Sequence, residues 1–429
     1  MFSHFSLHRL LLKSLHELNF REPTPVQIAT IPMALDGVDL QISSETGSGK
    51  TLAYLLPLLH RLLSTANPDA GVRALILLPT RELAQQVFTN CQSLAKHSNL
   101  KTTLVIGGSD FEEQAEQVIE DPQIIVATVG RLLEHLDRGL LDLNKLDVLV
   151  LDEADRMLDM GFAEEVLKIS TACNNSQRQT LLCSATLKNK WLHRITSKVL
   201  REPEEITIRR EKGAHANIQE QVILADNERH KVELILWLLT NETYNKALIF
   251  TNSRNHADNL SNAIIKQKQH VGVLHGEINS LRRERVLALL RDDKLQVLIA
   301  TDVAARGLDI EGVDLVINFE MPRRGDDYTH RIGRTGRAGK QGLAITLIKS
   351  TEWNLKANIE RYLEHKLESR IIEELPADYT GPKQLKKSGR AMGIKRKTTK
   401  KKVETPRLKQ RHRDKKNIGK RRKPTRLDK

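Results

Sequence analysis

Three features are scarce in this 429-residue chain, and two of these scarcities exclude a class of protein. Cysteine occurs three times, at Cys91, Cys173 and Cys183. These are too far apart for a paired zinc-ligand spacing and too few for a disulfide framework, so a reducing, cytoplasmic setting is expected. Aromatic residues make up only 4%. Long apolar runs are also missing: stretches such as Ala74–Leu78 and Val148–Leu151 have the length of core strands, far short of a membrane span. No apolar run of signal-peptide length stands near Met1, and a soluble protein without membrane contact is expected.

What the chain does have is positive charge, very unevenly placed. Residues 376–429 hold 22 Lys and Arg against 4 Asp and Glu. The other 375 residues hold 46 basic and 50 acidic side chains. The net charge of +14 therefore belongs to the C-terminal segment. Such a block repels itself and attracts polyanions, so residues 376–429 are expected to be a disordered, nucleic-acid-binding tail.

Between the ends, short apolar runs alternate with helix-like stretches. Val38–Ile42, Ala74–Leu78, Thr103–Ile106, Ile124–Ala127, Val148–Leu151 and Thr180–Cys183 read as buried parallel strands. Helical spacing over Leu52–Leu63 and Glu82–Ala95 fits crossover helices. The pattern restarts after about residue 205, with Ala247–Phe250, Val271–Leu274, Val297–Ala300, Leu315–Asn318 and Leu343–Ile348. The expected fold is α/β: two tandem doubly wound parallel-sheet domains, 1–205 and 218–375, joined by a linker at 206–217.

The chemistry starts at residues 44–51, Ser-Glu-Thr-Gly-Ser-Gly-Lys-Thr, between a predicted strand and a predicted helix. Glycines in such a loop let backbone N–H groups turn inward around phosphates. Lys50 would reach the β- and γ-phosphates, and Thr51 would ligate Mg²⁺. Ser44 stands where the usual pattern begins with Gly. Ser44, Glu45, Thr46, Gly47, Ser48, Gly49, Lys50 and Thr51 are the expected phosphate cradle. The run Asp152-Glu153-Ala154-Asp155 follows the strand Val148–Leu151, and ligands of open α/β sheets bind at that strand end. Asp152 is placed to hold Mg²⁺, and Glu153 to orient and activate the attacking water. Acidic strand ends are common alone; an upstream phosphate loop gives this one its meaning.

With these residues in place, nearly all of 1–375 resembles the DEAD-box ATP-dependent RNA helicases. Phe20-Arg-Glu-Pro-Thr-Pro-Val-Gln27 resembles the family's Q motif. The resemblance implies that Gln27 reads the adenine edge and that Phe20 packs near the base. A Gln amide both donates and accepts, which matches adenine and implies ATP rather than GTP. Phe2 occupies the place of an upstream aromatic, although a lone Phe is more often a core anchor. The resemblance further implies RNA contacts by Thr80 and Arg81 in Pro79-Thr-Arg-Glu-Leu83, by Gly108 after Gly107, and by Thr128 and Arg131. Val129 stands where Pro is usual, which leaves that loop less rigid. Ser184-Ala-Thr186 resembles the motif that couples nucleotide state to domain closure, with Asp155 as its partner.

In the second half the resemblance assigns Thr301 to RNA, Arg306 to the domain interface and Asp309 to the ribose. His330-Arg-Ile-Gly-Arg-Thr-Gly-Arg337 resembles the family's arginine-finger segment. Arg334 and Arg337 would then neutralise charge developing on the γ-phosphate, and His330 would help to place water. Ser280 departs from the Gln that many relatives carry before Arg283, which puts one contact in doubt. The last residues, Arg411–Pro424, resemble the ends of bacterial family members that act in early assembly of the large ribosomal subunit. That implies ribosomal RNA and ribosomal proteins as partners; separately, a monomer is expected. A DNA-directed motor of the same superfamily and an ATP-dependent RNA clamp without obligatory turnover are the rival readings. Gln27 and the Asp-Glu-Ala-Asp run argue against the first, and the intact carboxylates and arginines against the second.

Overall fold

The computed structural model describes residues 1–391 except 45–46, 66–70, 185–189, 209–216, 268–269, 306–309, 311, 337–339, 383 and 387. Two seven-stranded sheets, parallel throughout, account for its frame. The first contains β1 (Leu40–Ser43), β2 (Ala74–Leu78), β3 (Thr102–Val105), β4 (Ile124–Thr128), β5 (Val148–Leu151), β6 (Gln179–Ser184) and β7 (Glu204–Thr207). Its order is β3-β4-β2-β5-β6-β1-β7. The second contains β8 (Ile218–Leu224), β9 (Ala247–Thr251), β10 (Val271–Leu274), β11 (Val297–Thr301), β12 (Leu315–Asn318), β13 (Gly342–Ile348) and β14 (Glu368–Arg370). Its order is β10-β11-β9-β12-β13-β8-β14. The expected pair of doubly wound domains is therefore present.

The central strands are continuously apolar because helices cover both faces. In β2, Ile76 and Leu78 face one core while Leu75 and Leu77 face another, and all four are buried. Parallel strands crossing in this way bring all their carboxyl ends to one edge. That edge carries the loops after β1, β2, β4 and β5, which is why residues spread over a hundred positions converge.

Several expectations need correction. The expected linker begins too early, because β7 pairs with β1 through Thr207 and Ile208 N–H still donates to the Ser43 carbonyl at 2.9 Å. Only Ile206 of β7 is buried, so this edge strand has no apolar run to mark it. The tail also begins later than residue 376. Asp226 Oδ1 accepts from Tyr379 N–H at 2.8 Å, Tyr379 packs edge-on to Trp353, and Trp353 Nε1 donates to the Gly389 carbonyl at 3.1 Å. The described residues of 376–391 thus lie against the helix Trp353–Leu363. Their anchoring groups are one aromatic, the Arg390 guanidinium and a set of backbone amides and carbonyls, which composition does not reveal. The rest of the basic segment lies outside the described residues.

Phe2 is buried and packs edge-on against Phe5 in the core, as a core anchor would. All three cysteines are buried and unpaired, and burial pushes the Cys91 thiol up to about 12. Among the described residues, no helix is long and apolar enough to cross a membrane.

Candidate functional site

The phosphate loop turns from β1 into the helix Lys50–Ser64. Gly47 and Gly49 have φ of 81° and 95°, in the left-handed region that residues with a Cβ enter at a cost. Gly49 has a second constraint, since a Cβ there would strike the Gln27 amide. Gln27 opens the helix Pro25–Leu35 as part of a capping box with Thr24. Its Oε1 accepts from Thr24 N–H at 2.9 Å, and its Nε2 donates to the Gly49 carbonyl at 3.0 Å. These bonds fix the amide's orientation and leave its second hydrogen and remaining lone pair for a ligand. Phe20 is 43% exposed beside this element. The Ser44 and Ser48 hydroxyls are 2.8 Å apart, and the buried Lys50 donates to the Ser44 carbonyl. Glu45 and Thr46 lie outside the described residues.

Asp152 is 3% exposed at the end of β5. Its Oδ1 accepts from Glu153 N–H at 2.9 Å, and its Oδ2 from the Tyr54 hydroxyl at 2.9 Å. Burial, reinforced by the neighbouring Glu153 charge, pushes its carboxyl up to about 6, while Lys50 opposes the shift. A buried carboxylate beside a second one is a hard oxygen donor set. It fits Mg²⁺ held chiefly through water and phosphate rather than in an all-protein cage. Among the described residues, no cluster of three His, Cys, Asp or Glu ligands occurs. Burial holds the Tyr54 phenol protonated well above the usual tyrosine range, so it acts as a donor.

Glu153 is unusual in its backbone. Its φ of 53° and ψ of 46° put a residue with a full side chain in the left-handed region, at the start of the helix Ala154–Asp159. Its Oε2 accepts from Arg156 Nη1 at 2.6 Å, and Arg156 is buried. Asp155 is buried too and hydrogen-bonds Ser184, the contact expected of the coupling motif. Burial raises the Asp155 carboxyl above its ordinary value. Thr186 is outside the described residues, as are Arg306, Asp309 and Arg337.

The two halves face each other across a cleft of about 1210 Å³. Thr80, Arg81, Gly108, Thr128 and Arg131 all line it, brought together from the carboxyl ends of β2, β3 and β4. Gly108 has φ 85°, and a Cβ there would collide with the Arg81 guanidinium, which lies over Gly107 and Gly108. Arg131 donates to the Ser109 carbonyl at 3.2 Å and so braces the same turn. The opposite wall includes His275, Asn279 and Arg283. Arg283 spans the cleft to Glu82 at 2.5 Å, and Arg324 reaches Asp159 at 3.2 Å. Thr301, at the end of β11, is not among the lining residues.

His330 lies half-buried on the helix Gly325–Ile332, and the buried Arg334 donates to its carbonyl at 3.4 Å. Three functional groups escaped the sequence reading. Tyr54 is one and Arg156 another. The third is Arg331, whose guanidinium grips both oxygens of Asp302 at 2.6 and 2.7 Å. It also donates to Asn252 Oδ1 at 2.7 Å and the Glu320 carbonyl at 2.8 Å. It thereby ties together the carboxyl ends of β11, β9 and β12. Its place between His330 and Arg334 was the available signal, but spacing alone did not separate a brace from a finger.

A DEAD/DEAH box helicase model matches residues 24–195, and a helicase conserved C-terminal domain model matches 230–339. The chain is similar to ATP-dependent RNA helicase SrmB of Escherichia coli (strain K12), at 41% identity over 99% of this chain and 96% of that protein. SrmB of Haemophilus influenzae is 36% identical over 99% of this chain and 98% of its own length. Among solved structures, S. cerevisiae Dbp5 bound to RNA and ADP BeF3 matches with a TM-score of 0.76 and 27% identity, over 86% of this chain and 95% of that one. Mss116p bound to single-stranded RNA and AMP-PNP matches with a TM-score of 0.76 at 27% identity, over 87% of this chain and 79% of its own.

Proposed function

Because the chain belongs to the DEAD-box ATP-dependent RNA helicases, enzymes that hydrolyse ATP, we propose that it remodels structured RNA during assembly of the large ribosomal subunit. ATP binds with its adenine at Phe20 and Gln27 and its phosphates in the loop 44–51. Lys50 neutralises the β- and γ-phosphates, and Thr51 and Asp152 hold Mg²⁺, which supplies electrostatic stabilisation when bound. Glu153 takes the proton of the attacking water, His330 helps to place that water, and Arg334 and Arg337 offset charge on the transferred phosphoryl group. Asp309 meets the ribose. Asp155, Ser184, Thr186 and Arg306 relay nucleotide state to closure.

RNA lies in the interdomain cleft. The observation that carries this reading is the convergence of Thr80, Arg81, Gly108, Thr128 and Arg131 on that one cleft. Backbone amides, hydroxyls and arginines grip phosphate and sugar, so binding is tolerant of sequence. The 2′-hydroxyl distinguishes RNA from DNA, and Thr301 contributes from the second domain. The basic residues beyond 391 add salt-sensitive affinity for ribosomal RNA. The working form is a cytoplasmic monomer that meets ribosomal proteins on the particle it helps to assemble. The two relatives named SrmB, each similar over nearly the whole chain, support this finer assignment.

Single-stranded RNA should stimulate ATP turnover far more than DNA of matched sequence. The same assay run over a salt series with chains ending at 391 and at 429 should give a shallower salt dependence for the shorter one. Equal stimulation by DNA and RNA would overturn the substrate assignment, and identical salt slopes the role given to the tail. Gly108→Ala should weaken RNA binding on the order of tenfold, about 1.4 kcal/mol, by displacing Arg81. Fluorescence anisotropy with labelled RNA checks this, and an unchanged Kd would remove Gly108 from the interface.

A further inference from the structure

The helix that follows the phosphate loop carries Tyr54 one turn beyond Thr51, on the same face. Tyr54 is fully buried. Its neighbours on the helix, Leu55, Leu56 and Leu58, are also buried in the apolar core, which offers a hydroxyl nothing to bond. A Phe would fill the same volume. The hydroxyl nevertheless has a partner, and it is a side chain assigned to the metal. It donates to Asp152 Oδ2 at 2.9 Å. Asp152 Oδ1 is already held by Glu153 N–H at 2.9 Å. Each carboxylate oxygen thus has one fixed bond, and its remaining lone pair points in a defined direction.

We propose that Tyr54 is a positioning residue for the divalent-cation site, its hydroxyl setting the orientation of Asp152. This rests on the reading that Asp152 holds Mg²⁺. Tyr54 itself touches neither metal nor nucleotide; it acts through the carboxylate that does. Partners of metal-holding side chains are worth about 10–100-fold in metal affinity in other sites. They act by removing rotational freedom that binding would otherwise have to remove.

The test uses the full chain and its Tyr54→Phe variant, which keeps the ring and deletes the oxygen. Binding of a fluorescent ADP analogue is titrated with Mg²⁺, and Mn²⁺ binding is followed in parallel by electron paramagnetic resonance. The expected result is a rise of about tenfold in the Mg²⁺ concentration giving half-maximal nucleotide binding, with affinity recovered at high Mg²⁺. A loss of nucleotide affinity that no Mg²⁺ concentration rescues would mark Tyr54 as merely structural and overturn the proposal, as would an unshifted midpoint. Asp152→Asn separates the two levels. If it too leaves the midpoint unmoved, the metal role of Asp152 fails; if it moves the midpoint and Tyr54→Phe does not, only the positioning role fails. The double variant guards against a general loss of stability. A midpoint equal to that of Asp152→Asn alone supports action through the carboxylate, and an additive rise refutes it.

Discussion

Glu153→Gln is expected to slow ATP turnover by about 10²–10⁴-fold, the usual contribution of a positioned general base, while ATP and RNA remain bound. The substitution keeps size and shape and leaves an oxygen that can still accept from Arg156, but removes the charge and with it the ability to take a proton. The neighbouring carboxylate cannot take over. Asp152 is 3% exposed and both its oxygens are engaged, by Tyr54 and by the Glu153 amide. Glu153 is held at one oxygen by Arg156 Nη1 at 2.6 Å, which orients the side chain and leaves the other oxygen for water. Asp155 is buried and engaged with Ser184, so it has no access to the reacting centre. Single-turnover phosphate release, measured with the RNA-bound complex followed separately, checks the prediction. A rate within threefold of the parent would remove Glu153 from the chemistry.

The second large effect is on folding. Arg331→Met should destabilise the second domain by about 1–3 kcal/mol, the cost of leaving buried acceptors without a donor, since the Asp302 side chain keeps 26% of its surface exposed. Arg331 is 1% exposed, and its donors serve Asp302, Asn252 and the Glu320 carbonyl. Met fills much of the volume but leaves these acceptors without their donor. Because they sit at the ends of β11, β9 and β12, hydrogen exchange should accelerate in Val297–Thr301, Ala247–Thr251 and Leu315–Asn318. The first sheet should keep its protection. Uniform protection in both domains, with stability changed by less than 1 kcal/mol, would show that the brace is dispensable.

The sequence made the middle of each sheet legible and its borders obscure. Ala74–Leu78 and Val297–Thr301 are apolar at nearly every position because both their faces are covered. By contrast β7, Glu204–Thr207, and β14, Glu368–Arg370, stand at sheet edges and carry mostly polar residues, so neither offered a period or a run. Beside β14, the strand Ile218–Leu224 mixes Gln and Glu into its first half, which diluted it into the neighbouring join. The site divides along similar lines. Lys50, Asp152 and Arg334 stand in compact local patterns. Tyr54 lies 98 positions from the carboxylate it holds, within a stretch that reads as ordinary helix core. Nothing in local spacing distinguishes its hydroxyl from a phenylalanine edge. Arg331 hides in the opposite way, inside a motif where every arginine invites the same role.

The backbone of Glu153 bears on how this protein can be improved. A glycine or asparagine would occupy a φ of 53° at less cost than a glutamate, by roughly 1 kcal/mol. The fold, left to select for itself, would discard the carboxylate. Under the proposed role of Glu153 in activating water, the position is governed by turnover and not by persistence of the native state. Consensus or thermostabilising redesign that scores each position by fold alone would choose this residue among the first to change, and would yield a sturdier chain with no engine.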